Sequence, residues 1–197
     1  TDLHRDGQAT LVLMFGATAV LADAARMAQV RALYPGAIVV GCSTAGEICD
    51  TRVRDDSLAV TAVRFEHSGV KLAQTNLATA GDSLGAGKAL AASLPHAGLV
   101  HVLVLSDGLQ VNGTELARGL RENLPVNVAV TGGLAGDGAN FKHTLVCADG
   151  VPAAGVIATL GFYGDRLKVG YGSLGGWDTF GAERLIIRSQ GNVLYEL

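Results

Sequence analysis

Two short loops of this chain combine glycine, hydroxyl-bearing and acidic residues, the types that bind a polar ligand. The first is Gly41–Glu47 (GCSTAGE) and the second, ninety positions later, is Thr131–Asp137 (TGGLAGD). Glycine directly after a buried strand lets backbone amides approach a ligand or another chain segment closely. The matched acidic ends, Glu47 and Asp137, suit hydrogen bonds from an ammonium group, a hydroxyl or backbone amides. The loops are therefore candidates for a binding site or for tight structural turns.

The acidic ends argue against phosphate as the ligand. Neither loop has the Lys-Ser/Thr ending of a Walker loop or a GxGxxG stretch that opens a helix, and both carboxylates would repel an anion. In a purely structural interpretation, the glycines pack against a neighbouring sheet and each acid caps its own turn. A ligand is equally well supported, because α/β folds bind ligands in loops that follow parallel strands.

A serine hydrolase is the enzyme alternative. The stretch Gly41–Ala45 approximates the nucleophile elbow GxSxG, with alanine in place of the last glycine, so Ser43 would be the nucleophile. Asp107 and His143 follow in the chain order of a Ser–Asp–His triad. Against this, the residues after the motif lack the helical pattern that an elbow needs, and the second loop has Gly133 at the equivalent of the serine. The sequence therefore favours a protein that is not an enzyme.

Further candidates lie outside the first loop. Asp107 follows an apolar run, at the strand end that α/β folds use for function. Trp177, the only tryptophan, is flanked by glycines and would either cover a cleft or pack in the core. The five histidines show no metal-ligand spacing, and His143 is the one to test as a haem ligand. The predicted ligand contacts are Ser43, Thr44, Glu47, Asp107, Gly133, Asp137 and Trp177.

Composition narrows the function classes. The chain has 197 residues, 49% of them apolar, and a net charge of −3. The absence of a basic run argues against nucleic-acid binding, and no apolar run reaches the roughly 18 residues of a membrane span. Three cysteines without a CxxC pair predict neither a disulfide framework nor a zinc site. We therefore expect a cytoplasmic protein with buried thiols.

The elements that position these residues alternate between strands and helices, which predicts an α/β (mixed α+β) fold of mixed sheets packed with a few helices. A strand, a helix and a second strand lead to the first loop, and the same order recurs before the second loop. Strands 58–65 and 70–79 follow the first loop, joined by a hairpin-like turn. The rest of the chain is β-rich, with strands expected at 142–148, 154–162, 167–173, 184–189 and 193–197. A duplicated β-α-β-β-β unit is therefore predicted, at about 10–95 and 98–197.

Four motifs in this order resemble the N-terminal part of FIST domains (F-box and intracellular signal transduction). They are Cys42–Ile48, Gly132–Gly138, Gly175–Trp177 and Gly191–Glu196. The resemblance runs from about Leu11 to the last residue. It implies a single bacterial-type sensory domain, residues 1–197, that binds a small ligand such as an amino acid without catalysis.

The resemblance also implies partners and an alternative. Such a module relays its signal to a C-terminal FIST half or to an output protein such as a histidine kinase. A start at Thr1 and an apolar last strand fit a fragment of a longer protein. The alternative is a haem-binding nitric-oxide sensor with His143 as the axial ligand; otherwise no cofactor or metal is expected. A ligand-free scaffold for dimerisation or docking is a further alternative.

Overall fold

The computed structural model describes residues 7–172, 174–175, 178–190 and 193–197. In chain order the strands are β1 (Leu11–Gly16), β2 (Ile38–Ser43), β3 (Glu47–Cys49), β4 (Arg52–Arg54), β5 (Leu58–Val63), β6 (Gly69–Asn76), β7 (Leu99–Ser106), β8 (Ala129–Leu134), β9 (Val146–Ala148), β10 (Val151–Ala153), β11 (Val156–Tyr163), β12 (Arg188–Gln190) and β13 (Val193–Glu196). The helices are α1 (Thr18–Leu21), α2 (Ala24–Leu33), α3 (Leu77–Ala80), α4 (Ser83–Ser93) and α5 (Gly113–Asn123). Mixed sheets with a few helices confirm the predicted α/β fold class.

The two large sheets each contain three neighbouring strands with the same order and directions. The five-stranded sheet runs β10-β9-β2-β1-β5 and the four-stranded sheet runs β6-β11-β7-β8. In the first, β1 pairs parallel with β2 and antiparallel with β5. In the second, β7 pairs parallel with β8 and antiparallel with β11. The order β2-β1-β5 thus recurs as β8-β7-β11, which is what a duplicated unit requires; the duplication itself stays a prediction.

The sheets pack face to face, with helices on their outer sides. Side chains alternate along β1, so that Val12 and Met14 meet Met27 of α2 while Leu11 joins the layer between the sheets. Strand β7 alternates in the same way between the α4–α5 side and that inner layer. The layers are therefore helix, sheet, sheet, helix. Within the described residues, no helix is long and apolar enough to span a membrane.

The predicted hairpin between the strands at 58–65 and 70–79 is wrong. Strand β5 pairs with β1, whereas β6 pairs with β11 in the other sheet. Five residues, 64–68, separate the two strands, and this length lets the chain cross between sheets instead of reversing within one. Burial determines which sheet β6 joins, because its side chains Val70 and Leu72 pack in the layer between the sheets.

Other predicted strands are shorter than expected or missing. Only Val146–Ala148 of the expected strand 142–148 is extended in a sheet. The amides of Lys142 and His143 donate to the carboxylate of Asp137, so they cannot join a strand ladder. Residues 167–172 form no strand, and the expected strand 184–189 is confined to β12, Arg188–Gln190.

The C-terminal part of the chain exposes apolar side chains instead of burying them. Beyond β11, these include Leu174, Phe180, Leu185, Ile186 and Ile187. Contiguous exposed apolar surface in a folded domain is typical of a contact with another chain or domain.

We expect Leu185→Ser to change the free energy of unfolding by less than about 0.5 kcal/mol, because Leu185 is 82% exposed. Leu160→Ala is the matched comparison, and we expect it to cost about 2–5 kcal/mol because Leu160 is buried between the sheets. Urea denaturation followed by circular dichroism measures both values. A large loss in Leu185→Ser would mean that this segment packs against the body of the domain.

Candidate functional site

The two glycine-rich loops lie against each other. The amide of Gly136 donates to the Ser43 carbonyl oxygen at 2.8 Å. Each loop follows a parallel strand, β2 in one sheet and β8 in the other, so this contact joins the carboxyl ends of strands from both sheets. Gly46 adopts a φ of +144°, a conformation that side chains other than hydrogen rarely permit. The glycines therefore serve both the turn geometry and the close approach of the loops.

Ser43 lies at the loop contact and joins the end of β2 to the segment before β9. Its side chain is fully buried, and its Oγ accepts a hydrogen bond from the Leu145 amide at 2.9 Å. Neither His143 nor Asp107 is among the hydrogen-bond partners of this hydroxyl. The Ser–Asp–His arrangement that the serine hydrolase alternative requires is therefore not assembled, since a nucleophile needs its base within hydrogen-bond reach.

Glu47 is buried and fully engaged by neighbouring groups. Its Oε1 accepts the Thr44 hydroxyl at 2.7 Å, and its Oε2 accepts the Ser57 hydroxyl at 2.6 Å and the Ser57 amide at 3.1 Å. The residue is 2% exposed. The carboxylate thus ties the first loop to the start of β5. It positions the loop instead of pointing free into solvent.

Asp137 closes the second loop in the same manner. Its Oδ2 accepts the amides of Lys142 and His143 at 2.7 and 2.9 Å, and its Oδ1 accepts the amide of Phe141 at 2.9 Å. These amides, that of His143 first, lower the pKa of the carboxyl below its usual value. Asp137 therefore caps its own turn, as the structural interpretation of the sequence expected.

A cleft of about 470 Å³ opens beside the joined loops. This size falls in the range of small-molecule sites, roughly 300–1,000 Å³. It lies at the carboxyl ends of β1 and β2, the edge where α/β folds bind ligands. Its lining residues are Ala17, Thr18, Ala19, Ala22, Thr44, Ala45, Gly46, Glu47, Asp55, Asp56, Asp137, Gly138, Asn140 and His143.

The cleft is acidic. Of the lining residues that the structure describes, four carry carboxylates and none is lysine or arginine. Glu47 and Asp137 hold protein donors, but Asp55 and Asp56 make no hydrogen bond or ion pair with the described part of the chain. Among these described lining residues, the His143 ring is the one basic side chain. The arrangement suits a ligand that brings its own positive charge or hydrogen-bond donors.

The family model of the FIST N domain matches residues 10–197 of the chain, nearly its whole length. The chain belongs to the FIST N-domain family. The predicted resemblance to the N-terminal part of FIST domains is thereby confirmed. Membership of this family associates the protein with signal transduction. A comparison with curated proteins found none that matches the sequence.

Asp107 of this FIST domain lies away from the cleft, in the turn after β7. Burial alone would raise the pKa of its carboxyl, but hydrogen bonds from the amides of Gly155, Gln110 and Leu109 and from the Thr144 hydroxyl outweigh it, so the pKa is lowered. The three amides lie at 2.8–2.9 Å. Asp107 therefore ties the turn to the start of β11.

A second predicted contact, Gly133, is also not at the cleft. Gly133 lies in β8 and lines a separate pocket next to α5. Trp177 lies outside the described residues. The structure thus places Thr44, Glu47 and Asp137 on the cleft wall and Ser43 beneath it.

Sequence reasoning missed the opposite walls of the FIST cleft. Asp55 and Asp56 come from the turn between β4 and β5, and Thr18 from the segment after β1. The adjacent acids were the available signal, but only the folding of the β3–β4 hairpin brings them to the loops. Two neighbouring carboxylates in an ordinary surface turn would look the same in sequence.

Two of the three cysteines, Cys42 and Cys147, are buried as expected, whereas Cys49 is exposed, contrary to the expectation of buried thiols. Burial raises the pKa of the Cys42 thiol to about 11 and that of Cys147 to about 12, so neither forms the thiolate that a nucleophile or metal ligand needs. No group of three or more histidine, cysteine or acidic residues that could hold a metal occurs within the described ranges.

Proposed function

We propose that the protein is the non-enzymatic sensory input domain of a cytoplasmic signalling system, and that its cleft binds a small molecule with an ammonium group, such as an amino acid. The observation that carries this proposal is the pair of carboxylates, Asp55 and Asp56, that face the cleft without a partner in the described chain. A cationic group close to them gains favourable interaction energy that falls with solvent screening.

The polar ends of an amino acid match the two sides of the cleft. Its ammonium group would lie against Asp55 and Asp56, while the ring of His143 offers a donor to its carboxylate. The small side chains Ala17, Ala19 and Ala22 leave room between these ends. This division of polar groups supports a zwitterionic ligand over a simple cation.

The same lining argues against the two alternatives. A porphyrin prefers large apolar walls, whereas among the described residues the lining has alanine as its largest aliphatic residue and no aromatic side chain apart from the His143 ring. Its carboxylates would also repel haem propionates. For hydrolysis, Ser43 is buried beneath the cleft and bonded to Leu145. The chain's residues therefore fit neither haem nor a serine nucleophile at this place.

Signal relay would use the contact between the loops. A ligand in the cleft touches residues that follow β2 and residues that follow β8, which belong to different sheets. If two arrangements of the sheets differ in cleft shape, the ligand shifts their populations toward the one that it fits better. The exposed apolar C-terminal segment supports an output contact there, either with a C-terminal FIST half or with a protein such as a histidine kinase.

We expect a thermal-shift screen of amino acids and related amines to find a ligand that raises Tm. The double variant Asp55→Asn with Asp56→Asn should weaken its affinity at least about tenfold, or about 1.4 kcal/mol, by removing both charges. Isothermal titration calorimetry measures the affinity. Asp165→Asn is the control, because Asp165 is exposed and outside the cleft lining.

Two results would contradict the proposal. One is a complete screen without a stabilising amine or amino acid. The other is a ligand that binds the double variant and the Asp165→Asn control equally well, which would place its site away from these carboxylates.

A further inference from the structure

We propose that a second pocket, beneath the first turns of α5, binds a small carboxylate with a branched apolar body. The pocket has a volume of about 200 Å³ and shares no lining residue with the cleft. It lies between α5 and the outer strand β8 of the four-stranded sheet. Its lining residues are Val104, Ser106, Gly113, Leu116, Ala117, Val130, Thr131, Gly132, Gly133 and Leu134.

A buried hydroxyl without a partner points to a ligand here. Ser106 is 1% exposed, and its Oγ has no hydrogen-bond partner among the described residues. Side chains alternate along β7, so Ser106 faces the same side as Val104, whose side chain packs against the α4–α5 cluster. The hydroxyl is therefore directed toward the pocket, where an unpaired polar group is costly unless something bonds to it.

The start of α5 adds hydrogen-bond donors and a favourable field. The side-chain oxygen of Asn112 accepts a hydrogen bond from the Glu115 amide, and its backbone carbonyl oxygen accepts one from the Leu116 amide. The amides of Gly113 and Thr114 precede these and have no acceptor within the described chain. An oxyanion near Gly113, the one of these two residues that lines the pocket, would gain its amide and the positive end of the helix dipole.

The remaining walls set the shape of the ligand. Val104, Leu116, Ala117 and Val130 provide apolar contacts, and Leu134 lies at the opening, 53% exposed. The one acidic side chain in the first turn of α5, Glu115, lies outside the pocket lining and pairs with Arg118 at 3.0 Å. A compact branched chain with a single carboxylate matches this combination.

The test uses isovalerate as the carboxylate and isovaleramide as its neutral match. Uniformly ¹⁵N-labelled protein is titrated with each and followed by amide correlation spectra. We expect saturable shifts centred on Gly113, Gly132 and Gly133 with isovalerate, and at least about tenfold weaker binding of isovaleramide, because charged hydrogen bonds are the stronger ones. No saturable shift up to the solubility limit of isovalerate would overturn the proposal.

Variants separate a ligand from a merely structural hydroxyl. Ser106→Ala should weaken isovalerate at least about tenfold without lowering Tm, because its Oγ contributes no intramolecular hydrogen bond. Ala117→Leu should abolish binding by filling the pocket, whereas Ser93→Ala, on the exposed side of α4, should leave it unchanged. A lower Tm with unchanged affinity in Ser106→Ala would indicate a buried water and overturn the proposal. Shifts centred on Thr44 and His143 would do the same by placing the ligand in the cleft.

Discussion

Replacing Asp107 with alanine is expected to lower the free energy of unfolding by about 3–5 kcal/mol. The carboxylate is 1% exposed and accepts three backbone amides, from Leu109, Gln110 and Gly155. Alanine removes the acceptor of all three amides, of which that of Gly155 is buried. Within the described chain, the turn after β7 then keeps only the hydrogen bond from the residue 107 amide to the Val156 carbonyl oxygen as its tie to the start of β11. Chemical denaturation at neutral pH measures the loss.

Asp107→Asn should cost less, about 1–2 kcal/mol, because its remaining carbonyl oxygen can still accept the amides of Leu109 and Gln110. Its NH₂ group would instead face the amide of Gly155. The exposed Asp165→Ala is the control and should have little effect. Equal stability of Asp107→Ala and the wild type would show that the turn after β7 keeps its conformation without the carboxylate.

Acid should reduce the advantage of the wild type over Asp107→Ala. The folded pKa of Asp107 is lowered, so its stabilisation is fully present above the unfolded pKa, near 4, and is lost as pH falls through the folded value. The difference between the two proteins should therefore be constant from about pH 5 to 7 and shrink below about pH 4. Asp137, whose pKa is also lowered, remains in both proteins and cancels in the comparison.

The local parts of this fold could be predicted from sequence because their causes are local. The apolar run of β1 is continuous because the strand is covered on both faces. Asn112 precedes α5 and caps it by accepting the Glu115 amide. By contrast, the partner of β6 depends on which sheet buries its apolar side chains, and no short-range pattern carries that information.

Only the two loops of the candidate site could be predicted from sequence, because its other walls depend on how distant segments pack. The glycine and acidic residues of the two loops predict them as candidate sites, and an apolar run predicts the strand before each loop. Their contact, from Gly136 to Ser43, depends on how two sheets stack. The walls at Asp55 and Thr18 come from segments with no shared motif. Sequence could therefore indicate where loops end strands, but not which turns complete the cleft.

The role of Glu47 separates the two interpretations of the loops most sharply. Its oxygens already accept three hydrogen bonds, from the Thr44 hydroxyl and from the hydroxyl and amide of Ser57. A carboxylate so engaged has little capacity left for a ligand, although it fixes the wall that a ligand would touch. Removing it should therefore act on the fold before it acts on binding.

We expect Glu47→Ala to lower the free energy of unfolding by about 2–4 kcal/mol, because the Ser57 amide and two hydroxyls lose their shared acceptor. Glu47→Gln should lose about half as much, since one oxygen remains, and the exposed Glu183→Ala should lose almost nothing. Chemical denaturation measures stability, and calorimetry at a temperature where each variant is folded measures ligand affinity. If Glu47→Ala keeps full stability but loses the ligand, Glu47 is a direct contact and the loop is held by other bonds. If stability falls and the folded fraction of Glu47→Gln still binds, the carboxylate builds the cleft wall and Asp55 and Asp56 supply the charge.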